Sequence, residues 1–597
     1  MEPFSTDIYE SFNLHVLPEK FYLEPRDREG GLLSNYYIEI DRHSNVIRLG
    51  DSNLVRIPLV GSELHFIHGV IGTIQLVSGP ALVVIKKSRQ IGTVNGHIIY
   101  TITDTDVIPY KKTTLHLTQK QLWYNRHFTE MVQSVLAGGG FYFSRTMDLT
   151  RSLQWLSENT TPSFTQMSMI DRADLRFTWN AHLLAQLRQV QGAGRYCMPL
   201  IHGFYGQFFE NINGQPFKIV VVSRRCVYRA GVRFYKRGVS IDGHPANFVE
   251  TEQIVEMDKD GDRKLTAFLQ TRGSIPLYWS QRPNLKWQPC PTIRPTDDQM
   301  TAFVKHFEMQ RTNYGGNHVI ISLINTKGRE KRIGDELERT AHQANLPYVR
   351  YNPFDFHKEC HSMRWERISL LKDRLRPEIS SFGFFASSLN NTSFRRQQVG
   401  FFRSNCMDCL DRTNVVQAML ARESLSDQLQ FLGILMEGEL VEHVPQLETQ
   451  FKHLWADNGD ECSKQYAGTG ALKADFTRLG RRTYQGALND GINAITRYFR
   501  NNFADGYRQD AIDLFLGNFI IDPNNLPPTL ETTLLNMDLN GIAIGAAAFS
   551  MAMTVLCILV AENVSATIFW LAVFIFCLIF IFINGEEFVN VPKLKLD

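Results

Sequence analysis

Short runs of apolar residues alternate with polar ones along the first part of the chain. Two runs rich in β-branched residues and broken by glycine and proline are "GVIGTIQLVSGPALVVIKK" (69–87) and "GHIIYTITDTDVIPY" (96–110). Such runs are typical of strands joined by turns. Few segments with a 3.6-residue period occur before Leu115. Helical pieces and "FYFSRTMDLTRSLQW" (141–155) follow, and we predict a mostly β N-terminal domain over residues 1–176.

A mixed pattern begins near Phe177. Buried strands are predicted at "FKIVVVSRRCVYRA" (217–230) and "NHVIISLINTK" (317–327), and a helix at "GDELERTAHQANL" (334–346). These elements predict an α/β domain over residues 177–516, with a mixed sheet and helices. The proline and asparagine content of residues 517–540 then predicts a linker.

The C-terminal part contains two uncharged apolar stretches, Gly541–Val560 and Ala566–Ile583, separated by "AENVS". Each is about long enough to cross a bilayer, and the short gap predicts an antiparallel transmembrane hairpin over residues 541–583. A buried helix pair of a soluble protein is the alternative. Lysines occur in the tail (584–597) and not in the gap, so the tail and the large N-terminal body are predicted to be cytosolic.

Composition narrows the class of protein further. With 597 residues the chain is expected to contain several folded units, and its net charge of +2 offers no general case for nucleic acid binding. Its nine cysteines are scattered, which indicates reduced thiols in the cytosol. The N-terminus lacks the basic and apolar regions of a signal peptide.

The strongest chemical signal is "RSNCMDCLDRTN" (403–414), which lies between the apolar run "VGFFR" and the helical pattern "TNVVQAMLAR". A strand, a tight loop and a helix direct backbone N–H groups and the helix dipole into one anion-binding cavity. A cysteine there is stabilised as the nucleophilic thiolate. Arg412, six residues after Cys406, can hold two phosphate oxygens. This spacing suits hydrolysis of a phosphate ester through a phosphocysteine.

Two alternatives to a catalytic loop remain open. Cys406 and Cys409 form a C-x2-C pair, as in zinc sites, but no second pair of ligands with suitable spacing follows. Because this second pair is missing, we expect no metal, and we expect no other cofactor. The segment could also be a structural loop.

The loop resembles the signature loop of the Sac-domain phosphoinositide phosphatases, and other motifs of that family follow in order. They are "RAGVRFYKRG" (229–238), "TRGSIPLYW" (271–279), "FDFHKECHSMRW" (354–365), "YAGTGALKADFTR" (466–478) and "NNFADGYRQDAIDLFLG" (501–517). With the hairpin, the resemblance is greatest to the integral endoplasmic-reticulum and Golgi branch. It implies metal-free hydrolysis of monophosphorylated phosphoinositides, above all phosphatidylinositol 4-phosphate and also the 3-phosphate.

Roles follow for the loop residues. Cys406 is predicted to be the nucleophile and Arg412 the phosphate clamp, and Asp408 and Asp411 are the candidate general acids. For Asp411 the alternative is a carboxylate that stabilises the loop by accepting backbone N–H bonds. Asp355 and His357 are weaker candidates for the acid, with a structural role as the alternative. The remaining positions are predicted to line the phosphate site: Asn405, Met407, Cys409, Leu410 and Thr413. Cys409 could also trap an oxidised nucleophile as a disulfide, with simple packing as the alternative.

Basic residues predict two further contacts. A dense basic stretch is predicted to dock on anionic lipid, with a solvated charged face as the alternative; it comprises Arg224, Arg225, Arg229, Arg233, Lys236 and Arg237. Lys593 and Lys595 in the tail resemble a dilysine retrieval signal that a coat complex binds.

Two rival functions are a protein tyrosine phosphatase with the same loop chemistry and a catalytically idle lipid-binding tether. The apolar anchor favours a lipid substrate over a phosphoprotein. The intact pair of Cys406 and Arg412 argues against an idle protein.

Overall fold

The structure is a computed structural model. It describes residues 6–58, 60–259, 261–294, 298–360, 365–479, 483–527, 539–561 and 564–595. An N-terminal sheet contains β1 Ser11–Val16, β2 Lys20–Arg26, β3 Tyr36–Asp41, β4 Ile47–Asp51 and β5 Glu63–Ile67. Its strand order is β4-β3-β2-β1-β5, and every pair is antiparallel. Alternate apolar side chains such as Phe12 and Leu14 are buried, which is the period of a sheet with one face on a core.

A twelve-stranded sheet forms the centre of the molecule. Its strands are β6 Gly69–Leu76, β7 Gly79–Val94, β8 His97–Pro109, β9 Phe141–Phe143, β10 Ile201–Ile212, β11 Gln215–Arg225, β12 Val249–Lys259, β13 Asp262–Arg272, β16 Asn317–Ser322, β17 Val349–Pro353, β18 Phe385–Ser388 and β19 Gly400–Asn405. A separate two-stranded sheet contains β14 Trp279–Ser280 and β15 Thr292–Ile293.

The large sheet changes character along its length. From β6 to β13 all neighbours are antiparallel, whereas β13, β19, β16 and β17 run parallel to one another in that order. Strand β9 precedes residue 177 and β10 follows it, and the two strands pair with each other. The sheet therefore crosses the predicted boundary between the two domains. In parallel sheets ligands bind beyond the carboxyl ends of the strands. Those ends here are Arg272, Ser322, Pro353 and Asn405.

Helices cover the sheets and extend the chain toward its C-terminus. They are α1 Gln119–Ala137, α2 Leu153–Asn159, α3 Pro162–Gln166, α4 Met169–Arg172, α5 Ala185–Arg188, α6 Gln299–Tyr314, α7 Lys331–Ala344, α8 Phe356–Glu359, α9 Ser369–Phe382, α10 Asp411–Phe431, α11 Pro445–Ala467, α12 Ala474–Leu479, α13 Tyr484–Phe503, α14 Asp505–Phe515, α15 Leu539–Leu556 and α16 Val564–Ile583. The predicted mixed α/β fold with a mostly β N-terminal sheet is confirmed.

The core beneath the candidate site explains why α10 lies where it does. Val416, Met419 and Leu420 recur at helical spacing on one face of α10, and all three are buried. They join the apolar cluster that contains Phe402 of β19 and Trp455 of α11. Burial of this stripe fixes the N-terminus of α10 directly after the end of β19.

The two apolar C-terminal helices pair with each other. Their mean hydropathies over Gly541–Val560 and Val564–Ile583 are 2.3 and 2.9, and the ring centroids of Phe549 and Trp570 lie 5.5 Å apart. Length and composition allow each to cross a membrane.

The segments that flank the helix pair pack on the body of the protein. Ile521 in the predicted linker is buried, and the Tyr124 hydroxyl donates to the Pro527 carbonyl at 2.6 Å. Residues 528–538 of that linker lie outside the described residues. In the tail, the backbone N–H groups of Lys593 and Leu594 donate to the Asp510 carboxylate at 2.9–3.0 Å. The tail and the first part of the linker therefore lie against α1 and α14 and are not free chain.

Candidate active site

The loop between β19 and α10 folds so that one backbone amide faces the sulfur of Cys406. Cys409 takes a left-handed conformation with φ of 51°, which is uncommon for a residue with a side chain. Its N–H donates to Cys406 Sγ at 2.8 Å, and the Thr413 hydroxyl donates to the same sulfur at 3.4 Å. The predicted strand–loop–helix is thus a compact cradle around one thiol.

Charge and hydrogen bonds favour the thiolate of Cys406. Burial alone would raise the pKa of this thiol, since only 2% of the residue is exposed. The hydrogen bond with Cys409, the positive charge of Arg412 and the Thr413 hydroxyl outweigh burial and lower the pKa to about 6. Burial and the neighbouring Cys406 sulfur raise the pKa of Cys409, whose thiol donates to the Gly273 carbonyl at 2.7 Å. Of the two thiols, that of Cys406 therefore ionises more readily.

Arg412 is fixed by groups that follow β16. Its guanidinium forms an ion pair with Glu330, with N–O distances of 2.8 and 3.0 Å. It also donates to the Leu323 carbonyl at 2.9 Å and to Asn325 Oδ1 at 3.2 Å. About a quarter of the Arg412 side chain is exposed. Glu330 and Asn325 orient the arginine, and sequence reasoning missed both because they precede it by more than eighty residues.

Asp408 is held by two arginines from the segment after β11. Arg233 donates to both carboxylate oxygens at 3.0 and 2.6 Å, and Arg237 donates at 2.6 Å. Burial would raise the pKa of Asp408, but these two positive charges hold it well below its usual range. An ionised carboxylate with two fixed partners is unsuited to giving a proton, so this geometry argues against Asp408 as the acid.

Asp411 has a different environment. It is the first residue of α10 and accepts a hydrogen bond from the Leu472 N–H at 2.9 Å. Burial raises the pKa of its carboxyl, although the charge of Arg497 acts in the opposite direction. A carboxyl with a raised pKa retains its proton to higher pH, as a general acid requires. Of the two candidate acids, Asp411 fits better.

The other predicted lining residues contribute little through their side chains. Met407 and Leu410 are buried in apolar clusters, so only their backbone groups are available to a phosphate. The Asn405 side chain is fully buried and has no hydrogen-bond partner among the described residues. Thr413 lies in the first turn of α10, and its hydroxyl contacts Cys406 Sγ.

Asp355 and His357 occupy structural or peripheral positions. Asp355 caps α8 through the Lys358 N–H at 2.9 Å and also accepts from the Thr326 N–H at 2.8 Å. His357 is exposed. The arrangement fits the structural alternative for Asp355.

The prediction that the basic stretch docks on lipid is wrong for four of its six residues. The side chains of four residues are buried in the interior and cannot reach a lipid surface: Arg224, Arg225, Lys236 and Arg237. Arg224, for example, forms ion pairs with Glu250 at 3.0 Å and Glu252 at 2.8 Å.

The other two members of the stretch are half-buried and bonded within the protein. Arg229 donates to the Arg237 carbonyl at 3.0 and 2.7 Å, and Arg233 pairs with Asp408. Of the six residues, Arg233 and Arg237 therefore support the loop that contains Cys406 from inside.

Two further arginines fix the loop and the segment beside it. Arg272, at the end of β13, donates to the carbonyls of Cys409 and Leu410. Arg403 of β19 donates to the carbonyls of Gly273 and Ser274 at 3.1 and 2.8 Å. Both side chains are buried.

A buried thiol of lowered pKa in a loop that leads into a helix, with a fixed arginine nearby, is an arrangement that suits the cleavage of phosphate monoesters. The family comparison agrees, since the SacI homology domain matches residues 68–361. The protein is a phosphoinositide phosphatase, a phosphoric monoester hydrolase.

Curated relatives specify the family. The chain is 44% identical to phosphatidylinositol-3-phosphatase SAC1-A of Danio rerio over 591 residues, which cover 98% of each chain. It is 39% identical to phosphatidylinositol-3-phosphatase SAC1 of Drosophila melanogaster over 98% of this chain and 97% of that one. It is 37% identical to phosphatidylinositol-3-phosphatase SAC1 of Saccharomyces cerevisiae over 77% of this chain and 74% of that one. This chain belongs to the SAC1 family, and the resemblance inferred from its motifs is confirmed.

Proposed function

We propose that the protein hydrolyses phosphatidylinositol 4-phosphate, and also the 3-phosphate, through a phosphocysteine on Cys406. The observation that carries this proposal is the position of Cys406 Sγ, 2.8 Å from the backbone nitrogen of Cys409, two residues before α10 begins. An anion is stabilised there by the amide, by the helix dipole and by the charge of Arg412.

In the first step the Cys406 thiolate attacks phosphorus and the bond to the inositol oxygen breaks. Loop N–H groups and Arg412 hold the equatorial oxygens, where charge accumulates in the transition state. Asp411 gives its proton to the departing inositol oxygen, which becomes a hydroxyl, and Asp411 becomes a carboxylate. The product of this step is dephosphorylated lipid and an S-phosphorylated Cys406.

In the second step Asp411 takes a proton from water, which attacks the phosphorus of the phosphocysteine. The S–P bond breaks, inorganic phosphate leaves and Cys406 returns to the thiolate. The same residue thus acts as acid and then as base. A raised pKa at Asp411 suits the first role, and its place as the first residue of α10 keeps it at the loop in both.

We propose that α15 and α16 anchor the protein as a transmembrane hairpin, with the body and the tail in the cytosol. Two adjacent uncharged spans of 20 residues, Gly541–Val560 and Val564–Ile583, support this, as does the absence of lysine and arginine between them in the sequence. We place the protein in the endoplasmic reticulum and Golgi membranes, with Lys593 and Lys595 as a coat-binding signal. Lys595 is exposed, whereas Lys593 is half-buried beside Asp510.

The substrate assignment is tested with the purified full-length chain, reconstituted in phosphatidylcholine vesicles that each contain one phosphoinositide. We expect phosphate release from the monophosphorylated lipids, fastest from the 4-phosphate. A phosphotyrosine peptide, the substrate of the rival function, is the comparison. Faster hydrolysis of that peptide than of every lipid would contradict the proposal.

A further inference from the structure

Helix α13 has its polar residues inside and its apolar residues outside. Its buried residues are Arg497, Asn501 and Asn502. Arg497 donates to Thr469 Oγ1 at 3.0 Å, to Ser463 Oγ at 3.1 Å and to the Gly470 carbonyl at 2.9 Å. These bonds fix the rotation of the helix, because turning it would leave a buried guanidinium without partners.

The outward face of α13 is an apolar stripe. Large side chains recur every three or four residues and are between 49% and 90% exposed: Tyr484, Leu488, Ile492, Ile495, Phe499 and Phe503. The stripe extends roughly 30 Å at 1.5 Å per residue. Scattered single apolar residues are ordinary on a protein surface, but a continuous stripe of six indicates a binding face.

An aromatic pair lies beside this stripe. The ring of Trp287 stacks on Tyr498 at a centroid distance of 5.4 Å and an interplanar angle of 13°, and the Trp287 residue is 58% exposed. The Tyr498 hydroxyl donates to the Leu285 carbonyl at 2.8 Å. Exposed tryptophan and tyrosine side chains are typical of the boundary between lipid and water.

The chain that leaves α16 joins the same surface. Gly585, two residues after the end of α16, lies against the Asn284 carbonyl so closely that a side chain would not fit. The Leu285 N–H donates to Asn502 Oδ1 at 3.2 Å, and the Asn590 N–H donates to the Asn502 carbonyl at 2.6 Å. The C-terminal end of α13 is thus held where the second apolar helix ends.

We propose that α13 lies in the interface of the bilayer that holds α15 and α16, with its apolar stripe inserted among the lipids. The proposal rests on the transmembrane hairpin inferred above. Continuity with α16 favours a bilayer over a second copy or another protein as the occupant. An interfacial helix needs an apolar face of this kind and a polar opposite face, here turned into the protein.

The docked helix is tied to the catalytic loop by a short segment. The Lys473 N–H donates to the Asp490 carboxylate of α13 at 2.9–3.0 Å. The adjacent Leu472 N–H donates to Asp411. Insertion of α13 would therefore hold the Cys406 loop next to the lipid surface, which is where a phosphorylated head group is found.

The direct test is photolabelling of the full-length protein in vesicles. Phe499 on the stripe is replaced by the photoreactive amino acid p-benzoylphenylalanine, and the matched control carries it at Phe209, an exposed phenylalanine of β10. The vesicles contain phosphatidylcholine with radioactive acyl chains. We expect lipid adducts at position 499 and none at 209. Equal labelling of both positions, absence of label at 499, or a protein–protein adduct at 499 would each overturn the proposal.

A second measurement concerns the use of the surface in turnover. The combined change Leu488→Gln, Ile492→Gln and Ile495→Gln alters only exposed side chains. Hydrolysis of phosphatidylinositol 4-phosphate in vesicles should fall at least about tenfold, equivalent to about 1.4 kcal/mol of lost docking. Turnover of a water-soluble short-chain analogue should change by less than about twofold, because it needs no docking.

Equal losses on the two substrates, or no loss on vesicles, would contradict a docking role for the stripe. Photolabelling does not depend on catalysis, so a failure of the proposed lipid phosphatase activity would leave that result intact. A failed proposal for α13 would in turn leave hydrolysis of the soluble analogue by the unaltered protein as the proposed function predicts.

Discussion

The basic stretch Arg224–Arg237 and helix α13 are each placed opposite to what their composition suggests: the charged stretch is largely buried, and the apolar residues of α13 are exposed. The stretch is rich in arginine and lies largely inside, where Arg237 bonds Asp408 of the catalytic loop. Helix α13 contains six large apolar residues that face outward. Charge density along a chain therefore does not reveal which residues meet a membrane. Paired arginines here build a catalytic loop, and the lipid-facing surface that we propose is apolar.

This comparison gives a simple criterion for variants. Changes inside, at the loop or its supporting arginines, should affect soluble and membrane-bound substrates by the same factor. Changes on the outer face of α13 should affect only the membrane-bound substrate. The ratio of the two turnover rates separates the regions.

The largest effect is expected at Cys406. Cys406→Ser removes the thiolate and should abolish turnover of both kinds of substrate, because a serine hydroxyl is far less acidic and does not ionise in this site. Binding of inorganic phosphate, measured by calorimetry, should persist, since the amides and Arg412 remain. Cys290→Ser, at an exposed cysteine, is the control and should be fully active. Residual turnover by the Cys406 variant would exclude this nucleophile.

Next in size is the effect of Asp411→Asn. The amide oxygen can still accept from the Leu472 N–H, but the proton for the leaving group is lost. Hydrolysis of the lipid and of its soluble analogue should each slow by roughly 10²–10⁴-fold. An activated aryl phosphate needs no proton and should be affected much less. Equal losses on the aryl and inositol substrates would indicate a structural aspartate.

Removing one of the buried arginines should mainly affect stability. Arg237→Ala leaves Asp408 with one fewer partner in the interior, and loss of a buried ion-pair partner costs about 3–5 kcal/mol of unfolding free energy. Lys331→Ala, which breaks an exposed ion pair with Asp335, should cost less than about 1 kcal/mol. Chemical denaturation followed by tryptophan fluorescence compares the two. A stable Arg237→Ala protein with vesicle-specific loss would place this arginine in the docking surface after all.

The local parts of the site were predictable from the sequence. "VGFFR" and "TNVVQAMLAR" predict β19 and α10 through their apolar periods, and the spacing of Cys406 and Arg412 predicts the cradle between them. These features depend on neighbouring residues, whose conformations are limited by local sterics and by burial of one face.

Long-range pairings were not predictable in the same way. Glu330 meets Arg412 only because β16 and β19 are adjacent in the sheet, and Arg233 meets Asp408 across 175 residues of sequence. The apolar period of α13 is visible in its sequence, but the period alone predicts the apolar face to be inside. Polar partners such as Ser463 and Thr469 on other segments reverse that assignment.

The smallest effect is the dependence on pH. Because the pKa of the Cys406 thiol is lowered to about 6, it is ionised at neutral pH and becomes protonated as the pH falls through that value. The kcat/KM for the soluble analogue should therefore decrease tenfold per pH unit below about 6. Removal of the Arg412 charge by Arg412→Gln should move this decrease in kcat/KM to higher pH. A decrease that stays at the same pH would show that Arg412 does not stabilise the thiolate.

The phosphocysteine itself can be observed directly. Full-length protein is mixed with 32P-labelled phosphatidylinositol 4-phosphate, quenched in acid within one turnover and digested for peptide mapping. The account predicts label on the peptide that contains Cys406, attached to sulfur, and its absence in Cys406→Ser. Turnover without label on that peptide, or label on another residue, would contradict the mechanism.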